Sequence, residues 1–288
     1  MSARPIRLLA IASAVAYGHV GNSASVFPLQ RLGAEVWPVA TVQFSNHPGH
    51  GGFTGGVTPP AAVRALLDGI AARGVLGGCD GVLSGYLGDA GTGPVVLDAV
   101  GAVRAANPPA LWACDPVIGD DGPGSYVRPG IAAFFRDRAA PAADVLTPNR
   151  FELAALTGLE VRTLGEATAA AAALSARMRP AGPRLVLASS LPGGADDIPM
   201  LVAGPEGAWC VRTPRLPIAV NGAGDLLAGL FLLHLLRLRS APAALAAAAA
   251  ALHAVLRVTA ALGQRELVLV AAQDALVAPE VRFAPEPV

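Results

Sequence analysis

The stretch Asn-Gly-Ala-Gly-Asp at residues 221–225 is followed at once by the apolar run Leu-Leu-Ala-Gly-Leu-Phe-Leu-Leu (226–233), which is typical of a buried helix. The two glycines allow a tight turn that gathers free backbone N–H groups at the start of this helix. Those groups, together with the positive end of the helix dipole, form a site for phosphate oxygens. The stretch therefore predicts an anion-binding turn at the amino end of a helix.

Asp225 is unusual in such a turn, because a carboxylate repels a bound phosphate. One explanation is structural, since an acidic residue in the first turn of a helix interacts favourably with the helix dipole. The other is chemical, since a carboxylate beside a phosphate can take the proton from a hydroxyl group that attacks it. In the second case the motif belongs to a kinase of small molecules, and residues elsewhere must decide between the two.

The composition favours a large globular α/β chain. Hydrophobic residues make up 53% of the 288 residues and charged residues only 15%, which suits a large buried core and argues against disorder. The 21 basic and 21 acidic residues balance, so no charge excess points to nucleic acid or to a membrane surface. All the basic residues are Arg, so no lysine is available to contact a nucleotide phosphate.

The three cysteines, Cys79, Cys114 and Cys210, are far apart in the chain. Their odd number and wide spacing favour reduced, buried thiols and a cytoplasmic location, and they argue against a zinc site. The apolar run 8–16 follows Arg4 and Arg7 like a short signal peptide, but its pattern also predicts a buried first strand, which we favour. Elsewhere, polar residues interrupt every apolar stretch before the ~20 residues that a membrane span needs.

Strand-like runs alternate with helix-length segments along the chain. This alternation predicts a doubly wound, mostly parallel sheet flanked by helices. The turn Gly-Pro-Glu-Gly at 204–207 predicts a hairpin at an antiparallel edge of that sheet. Because no linker or repeat divides the chain, we expect one domain over residues 1–288. The predicted strands are 6–12, 36–42, 81–84, 111–114, 144–146, 184–188, 200–203 and 208–211, and Ala-rich helices are predicted at 166–178 and 243–262.

Polar residues follow the predicted strands at the ends where parallel sheets bind ligands. Ser13 follows the first strand, and Tyr86, Asp115, Thr147 and Ser189 follow later ones. Each of them alone could belong to a turn. Their accumulation at one edge predicts a binding site there.

Two of these strand ends carry carboxylates. Asn149 and Glu152 have the spacing of a capping box at a helix start, and Glu152 could equally hold, directly or through water, a magnesium ion that carries phosphates. Asp115 precedes a proline, as in many turns, but it could also face a metal–nucleotide complex. The Gly-rich loop 119–126 that follows has the composition of a mobile cover for a nucleotide.

Seven motifs taken together resemble the pyridoxal kinases of the ribokinase-like superfamily, from about residue 8 to residue 279. Gly-x-Gly-Asp and Asn-x-x-Glu indicate only the superfamily, whereas the first two motifs are more specific to the pyridoxal branch. The motifs are Ser-Ala-Val-Ala-Tyr-Gly-His-Val-Gly-Asn-Ser (13–23), Val-Gln-Phe-Ser-Asn-His (42–47), Leu-Ser-Gly-Tyr-Leu-Gly (83–88), Cys-Asp-Pro-Val (114–117), Thr-Pro-Asn-Arg-Phe-Glu (147–152), Gly-Ala-Gly-Asp (222–225) and Leu-Val-Ala-Ala-Gln-Asp (269–274).

The resemblance implies a ribokinase-like fold and ATP-dependent phosphorylation of the 5′-hydroxymethyl group of pyridoxal, and of pyridoxine or pyridoxamine as further substrates. It implies that Asp225 is the base and that Gly222, Ala223 and Gly224 stabilise the transferred phosphoryl group. It also implies Mg²⁺ with the ATP, a monovalent cation beside the anion site, and a homodimer.

Further site residues are implied by the same resemblance. Those implied for the substrate are Ser13, Pro48, Gly49, Tyr86 and Asp225. Those implied for ATP are Asp115, Thr147, Glu152, Ser189, Thr213, Pro214, Arg215 and Leu216, of which Asp115 and Glu152 are also metal contacts. Arg215 is the candidate for supplying positive charge in place of a lysine.

Two departures from the family pattern keep other functions open. Ala14 stands where many relatives have His, and Pro48 where many have Thr, although His50 could restore a polar contact. The alternatives are a kinase for another small alcohol, such as hydroxymethylpyrimidine or a sugar, and a pyridoxal-binding protein with weak turnover. Asp225 speaks against a hydroxymethylpyrimidine kinase, because those enzymes often carry Cys at this position.

Overall fold

Strands and helices alternate along residues 4–288, the part of the chain that the computed structural model describes. The strands are β1 Arg7–Val15, β2 Glu35–Phe44, β3 Gly55–Val57, β4 Gly81–Ser84, β5 Leu111–Cys114, β6 Gly119–Asp120, β7 Gly124–Ser125, β8 Val145–Leu146, β9 Leu185–Ala188, β10 Asp197–Gly204, β11 Gly207–Pro214 and β12 Glu286–Pro287. The helices are α1 Asn22–Arg31, α2 Pro60–Ala71, α3 Thr92–Ala106, α4 Ile131–Phe134, α5 Arg150–Thr157, α6 Leu164–Ala176, α7 Ala223–Leu238, α8 Ala241–Ala261 and α9 Gln273–Val277.

A mixed sheet, ten-stranded over the described residues, forms the centre of the fold, in the order β12-β11-β10-β9-β8-β5-β4-β1-β2-β3. The strands β2, β1, β4, β5, β8 and β9 are all parallel, which confirms the predicted doubly wound, mostly parallel sheet. The N-terminal apolar run is the strand β1, which lies between β2 and β4 as predicted for a buried strand.

The two edges of the sheet are where sequence and structure differ. The predicted hairpin is present, since β10 and β11 pair antiparallel across a turn at Pro205 and Glu206. It is not the outermost element, because β12 pairs with Trp209 and Cys210 of β11. At the other edge β3 pairs antiparallel with β2. Neither β3 nor β12 has a strand pattern of its own, so only the tertiary fold recruits them.

Side chains of the sheet alternate between two apolar cores. In β1, Leu9 and Ile11 pack on one side with residues of α2 and α3, whereas Leu8 and Ala10 pack on the other side with α7 and α8. The helix α8 is, within the described part of the chain, the single helix long and apolar enough to cross a membrane. Of its most apolar window, 61% is buried inside the fold, as in a core helix.

The strand order changes direction at β1, since β2 lies on one side of it and β4 on the other. In open α/β sheets, the crevice at such a switch point, outside the carboxyl ends of the strands, is the usual ligand site. Ser13 and Gly85 lie at these ends of β1 and β4. The fold therefore places the crevice where the polar residues of the sequence accumulate.

Candidate active site

The Gly-rich turn predicted to bind an anion caps the start of α7. Gly222 has φ 82°, and a Cβ atom at this position would overlap the carbonyl oxygen of His19. Only glycine allows this left-handed conformation and this close approach at low cost. At Gly224, by contrast, a Cβ atom would meet nothing within 4 Å, so the first turn of α7 borders open space. The turn can therefore present its N–H groups to a ligand.

Asp225 lies in the first turn of α7 and is partly buried. Burial raises the pKa of Asp225 to about 6, although the nearby backbone N–H groups of Gly21 and of Asp225 itself lower it. A pKa near 6 leaves the carboxylate mostly deprotonated at pH 7 and still basic enough to accept a proton. This is the protonation behaviour that a general base requires.

Residues predicted to bind the substrate surround Asp225. Ser13 is buried beside Gly21, where a Cβ atom would overlap the serine hydroxyl. Gly85, which precedes Tyr86, lies so close to Asp225 that a Cβ atom there would be 3.8 Å from its Oδ1 atom. A Cβ atom at Gly49 would be 3.6 Å from the side-chain amide of Asn221. The structure thus brings the strand ends of β1 and β4 and the β2–β3 loop, which also carries Pro48, to one side of the base.

Two further carboxylates lie near Asp225. Asp115 accepts a hydrogen bond from the Thr147 hydroxyl at 2.9 Å, and both residues are buried. Burial raises the pKa of Asp115 well above its usual range, and the charges of Glu152 and Asp225 raise it further. The three carboxylates are therefore close enough to repel one another.

Glu152 has the capping role that its spacing suggested, whereas its role at a magnesium ion stays a prediction. It completes a capping box with Asn149, whose N–H donates to Oε2 at 2.9 Å, and its Oε1 accepts the N–H of Ile118 at 2.9 Å. Burial nevertheless raises the pKa of Glu152 to about 7. Backbone N–H groups thus hydrogen-bond both oxygens of Glu152. The carboxylate of Asp115 has fewer hydrogen-bond partners, so it is more available to a ligand.

Residues predicted to contact ATP continue along the same edge. The N–H of Ser189 donates to Pro148 at 3.1 Å, which keeps Ser189 next to the capping box. Thr213 and Pro214 end β11. The guanidinium of Arg215 donates to the carbonyl oxygens of Ala195 and Asp197 at 3.2 and 3.0 Å, so its charge is directed at that loop. A role for Arg215 at the phosphates stays a prediction.

Leu216 lines an open groove of about 410 Å³ beside α8. His253 and Arg257 of α8 form one wall of this groove, and Val281 contributes on the other side. Leu216 lies six residues before Gly222 in the chain. The segment between them therefore leads from this groove to the predicted anion site.

Comparisons with known proteins decide the family. A model of the phosphomethylpyrimidine kinase family matches residues 59–269. The pyridoxal kinase of Rubrobacter xylanophilus is 57% identical over 282 residues that cover 96% of each chain, and that of Deinococcus radiodurans is 53% identical over 98% of this chain and 96% of its own. The chain belongs to the pyridoxal kinase family. This confirms the resemblance and shows that the protein is an ATP-dependent kinase of the vitamin B6 group.

The fold of this kinase agrees with solved structures of the family. Pyridoxal kinase from Leishmania donovani in complex with ADP and pyridoxine has a TM-score of 0.89 and 27% identity, with 98% of this chain and 99% of that chain covered. The ribokinase-like fold predicted from the motifs is therefore confirmed.

Three residues of the kinase were not singled out as site residues by the sequence, although the structure places them at the crevice. Tyr126 lies in the β6–β7 hairpin, and burial and then the charges of Glu152 and Asp115 raise its pKa. His253 is buried in the apolar helix α8 and also lines the groove at Leu216. Glu266 contacts two loops beside the base. An isolated acidic residue between apolar segments is the one signal that could have found Glu266.

The raised pKa of Asp225 has a consequence for the stability of the kinase without ligands. Between pH ~4 and ~6 the folded Asp225 keeps a proton that the unfolded chain has already released, so its contribution to the free energy of unfolding falls as pH rises. We expect Asp225→Asn to be increasingly more stable than the wild type over this window, by up to about 3 kcal/mol at pH 8. Urea unfolding at several pH values, without divalent cations, measures the difference.

The matched control is Asp98→Asn. Asp98 is an exposed carboxylate that pairs with Arg64 at 2.6 Å, so this variant should show no such growth in stability with pH. A stability difference for Asp225→Asn that stays constant from pH 4 to pH 8 would contradict the raised pKa.

Proposed function

We propose that this kinase transfers the γ-phosphoryl group of ATP to the 5′-hydroxyl of pyridoxal, and that residues 1–288 form one kinase domain. The observation that carries the proposal is Asp225, with its pKa near 6, in an anion-binding turn beside the strand ends of β1 and β4. The relatives named pyridoxal kinase support the choice of substrate.

The chemistry follows from the substrate hydroxyl. The pKa of a primary alcohol lies far above 7, so its proton must leave as the new bond forms. Asp225 takes that proton while the 5′-oxygen bonds to the γ-phosphorus and the bond from that phosphorus to the β-phosphate oxygen breaks. The N–H groups at Gly222, Ala223 and Gly224 stabilise the charge on the transferred group. ADP and pyridoxal 5′-phosphate are the products.

Asp115 and Glu152 provide the donor set for Mg²⁺ that enters with ATP. Among the described residues, no group of three acidic, His or Cys side chains is arranged to hold a metal ion by itself. Mg²⁺ that enters with a nucleotide needs no such group, because phosphate oxygens and waters are most of its ligands. Asp115 would contact the ion directly, and Glu152 would act through water because backbone N–H groups occupy its oxygens. The ion would supply positive charge at the phosphates, where the chain offers no lysine. A monovalent cation beside the anion turn would add to it.

The adenosine end of ATP lies in the groove at Leu216. The groove combines apolar walls with a few polar groups, His253 and the ion pair Arg257–Glu280, as a nucleoside site requires. Thr213, Pro214 and the backbone of Arg215 lead from β11 to this groove, and Ser189 lies nearer the phosphates. The free, buried thiols of all three cysteines support a cytoplasmic enzyme, and the family supports a homodimer, which gel filtration of the purified protein tests.

The test is a panel of possible phosphate acceptors. We expect ATP consumption with pyridoxal to exceed that with hydroxymethylpyrimidine and ribose at least tenfold in kcat/KM, with pyridoxine and pyridoxamine between. Pyridoxal 5′-phosphate is quantified to show that the phosphoryl group reaches the 5′-oxygen. If hydroxymethylpyrimidine or ribose were phosphorylated faster than pyridoxal, that compound would be the substrate. If pyridoxal were bound without formation of ADP, the protein would be a pyridoxal-binding protein.

A further inference from the structure

The residues Pro48–His50 form a short helical turn in the β2–β3 loop, which carries the predicted substrate contacts Pro48 and Gly49. Its first N–H groups are capped by His47, whose Nδ1 accepts the N–H of Gly49 at 3.1 Å. The next residues, Gly51 and Gly52, give the loop little stiffness of its own. The turn therefore needs a tertiary contact to keep one position over the crevice.

Glu266 provides that contact. Its Oε1 lies 2.6 Å from Nε2 of His50, and the Glu266 side chain is only 12% exposed. Its other oxygen accepts the N–H of His19 at 2.8 Å. Gly18 packs directly on the same carboxylate, since a Cβ atom at that position would overlap it. One carboxylate thus joins the β2–β3 loop to the β1–α1 loop.

The segment that carries Glu266 is itself fixed to the end of α8. The N–H of Gln264 donates to the carbonyl oxygen of Thr259 at 3.1 Å, and the N–H of Val268 donates to its hydroxyl at 3.3 Å. Thr259 is fully buried. Glu266 therefore extends from a segment that is anchored to α8 toward the β1–α1 and β2–β3 loops.

Both loops meet the catalytic turn. The carbonyl oxygen of His19 lies against Gly222, and the backbone N–H of Gly21 is near enough to Asp225 to lower the pKa of its carboxyl group. On the other loop, Gly49 lies close to the side-chain amide of Asn221. A change at Glu266 is thus transmitted to the base through one loop and to the substrate contacts through the other.

We propose that Glu266 is a positioning residue that holds the substrate loop in its binding conformation through His50 and the β1–α1 loop through His19. Neither Glu266 nor His50 touches the reacting atoms. A loop ordered in advance spares the substrate the entropy loss of ordering it, which appears as a lower KM for the vitamer. The inference rests on the proposed function in taking the loop 48–52 as the substrate loop.

Four variants test the proposal. His50→Ala removes the contact of the substrate loop with Glu266 and the edge contact of the His50 ring with Tyr17, and it leaves the bond between Glu266 and the His19 N–H in place. We therefore expect KM for pyridoxal to rise about three- to tenfold, with kcat and KM for ATP within about twofold of the wild type. Glu266→Ala should raise KM similarly and also lower kcat, because the β1–α1 loop beside Asp225 loosens. Glu266→Gln keeps an acceptor for the His19 N–H and should restore kcat. The double variant His50→Ala/Glu266→Ala should show no higher KM than Glu266→Ala alone.

Amide hydrogen exchange of residues 48–52 in the enzyme without substrate gives a readout independent of turnover. Exchange should accelerate in His50→Ala and Glu266→Ala but not in Arg162→Ala, a control that breaks the distant exposed pair Arg162–Glu160. Unchanged exchange in His50→Ala, an unchanged KM for pyridoxal, or an equal rise in KM for ATP would overturn the proposal. If even the wild type does not phosphorylate pyridoxal, the proposed function fails, and accelerated exchange would still support the contact.

Discussion

Asp225→Asn is expected to lower kcat for pyridoxal phosphorylation by about 10³-fold, since general-base catalysis contributes roughly 10²–10⁴-fold. The asparagine keeps the size of the side chain and its place in the first turn of α7, but it cannot accept a proton. The proposed anion turn and the groove at Leu216 are unchanged and a charge that repels phosphate is removed, so ATP should bind at least as tightly as to the wild type. Steady-state kinetics together with calorimetric titration of ATP separate the two effects.

The control for this variant is again Asp98→Asn, which removes an exposed carboxylate outside the crevice. It should keep kcat within about twofold of the wild type, since exposed ion pairs contribute little. A value of kcat for Asp225→Asn within tenfold of the wild type would exclude Asp225 as the base. It would also restore the purely structural explanation, in which the carboxylate only stabilises the helix start.

Gly222→Ala is expected to lower kcat at least 100-fold and to destabilise the fold by about 2–4 kcal/mol, because the added Cβ atom meets backbone rather than a movable side chain. It would overlap the carbonyl oxygen of His19 at a residue whose φ is 82°. The turn must shift, and its N–H groups then no longer converge on the phosphoryl group. Urea unfolding and steady-state kinetics measure both losses.

Gly101→Ala is the matched substitution for this test. Gly101 lies in α3, and a Cβ atom there meets nothing within 4 Å, so alanine should leave activity unchanged and stabilise the helix by up to ~1 kcal/mol. If Gly222→Ala were as active and as stable as Gly101→Ala, the carbonyl oxygen of His19 could not lie as close to Gly222 as the structure has it.

The regular elements of the fold could be predicted from the sequence because their signals are local. Apolar runs at 81–84 and 111–114 coincide with β4 and β5, and the glycine turn before α7 marks the start of that helix. The strands β3 and β12 could not be predicted. Their residues have no strand pattern, and they pair only because neighbouring strands offer free backbone groups.

The site divides in the same way. Asp225, Asp115 and Glu152 were candidates from motifs alone, because each motif combines residue types that the chemistry needs at a short spacing. Glu266 could not be found in this way, since its partner His50 is 216 residues away in the chain. Contacts over such distances leave no mark in a local pattern.

By itself the sequence determined the class of fold, the anion turn and the identity of the carboxylates, because periodicity, glycine placement and helix starts act within a few residues. Only the tertiary structure decided how these carboxylates behave. Burial at one edge of the sheet raises the pKa values of Asp115, Glu152 and Asp225, that of Asp225 to about 6. Desolvation and charge repulsion depend on which groups come together in space, and folding alone brings the loops at 19, 49 and 266 together beside the start of α7.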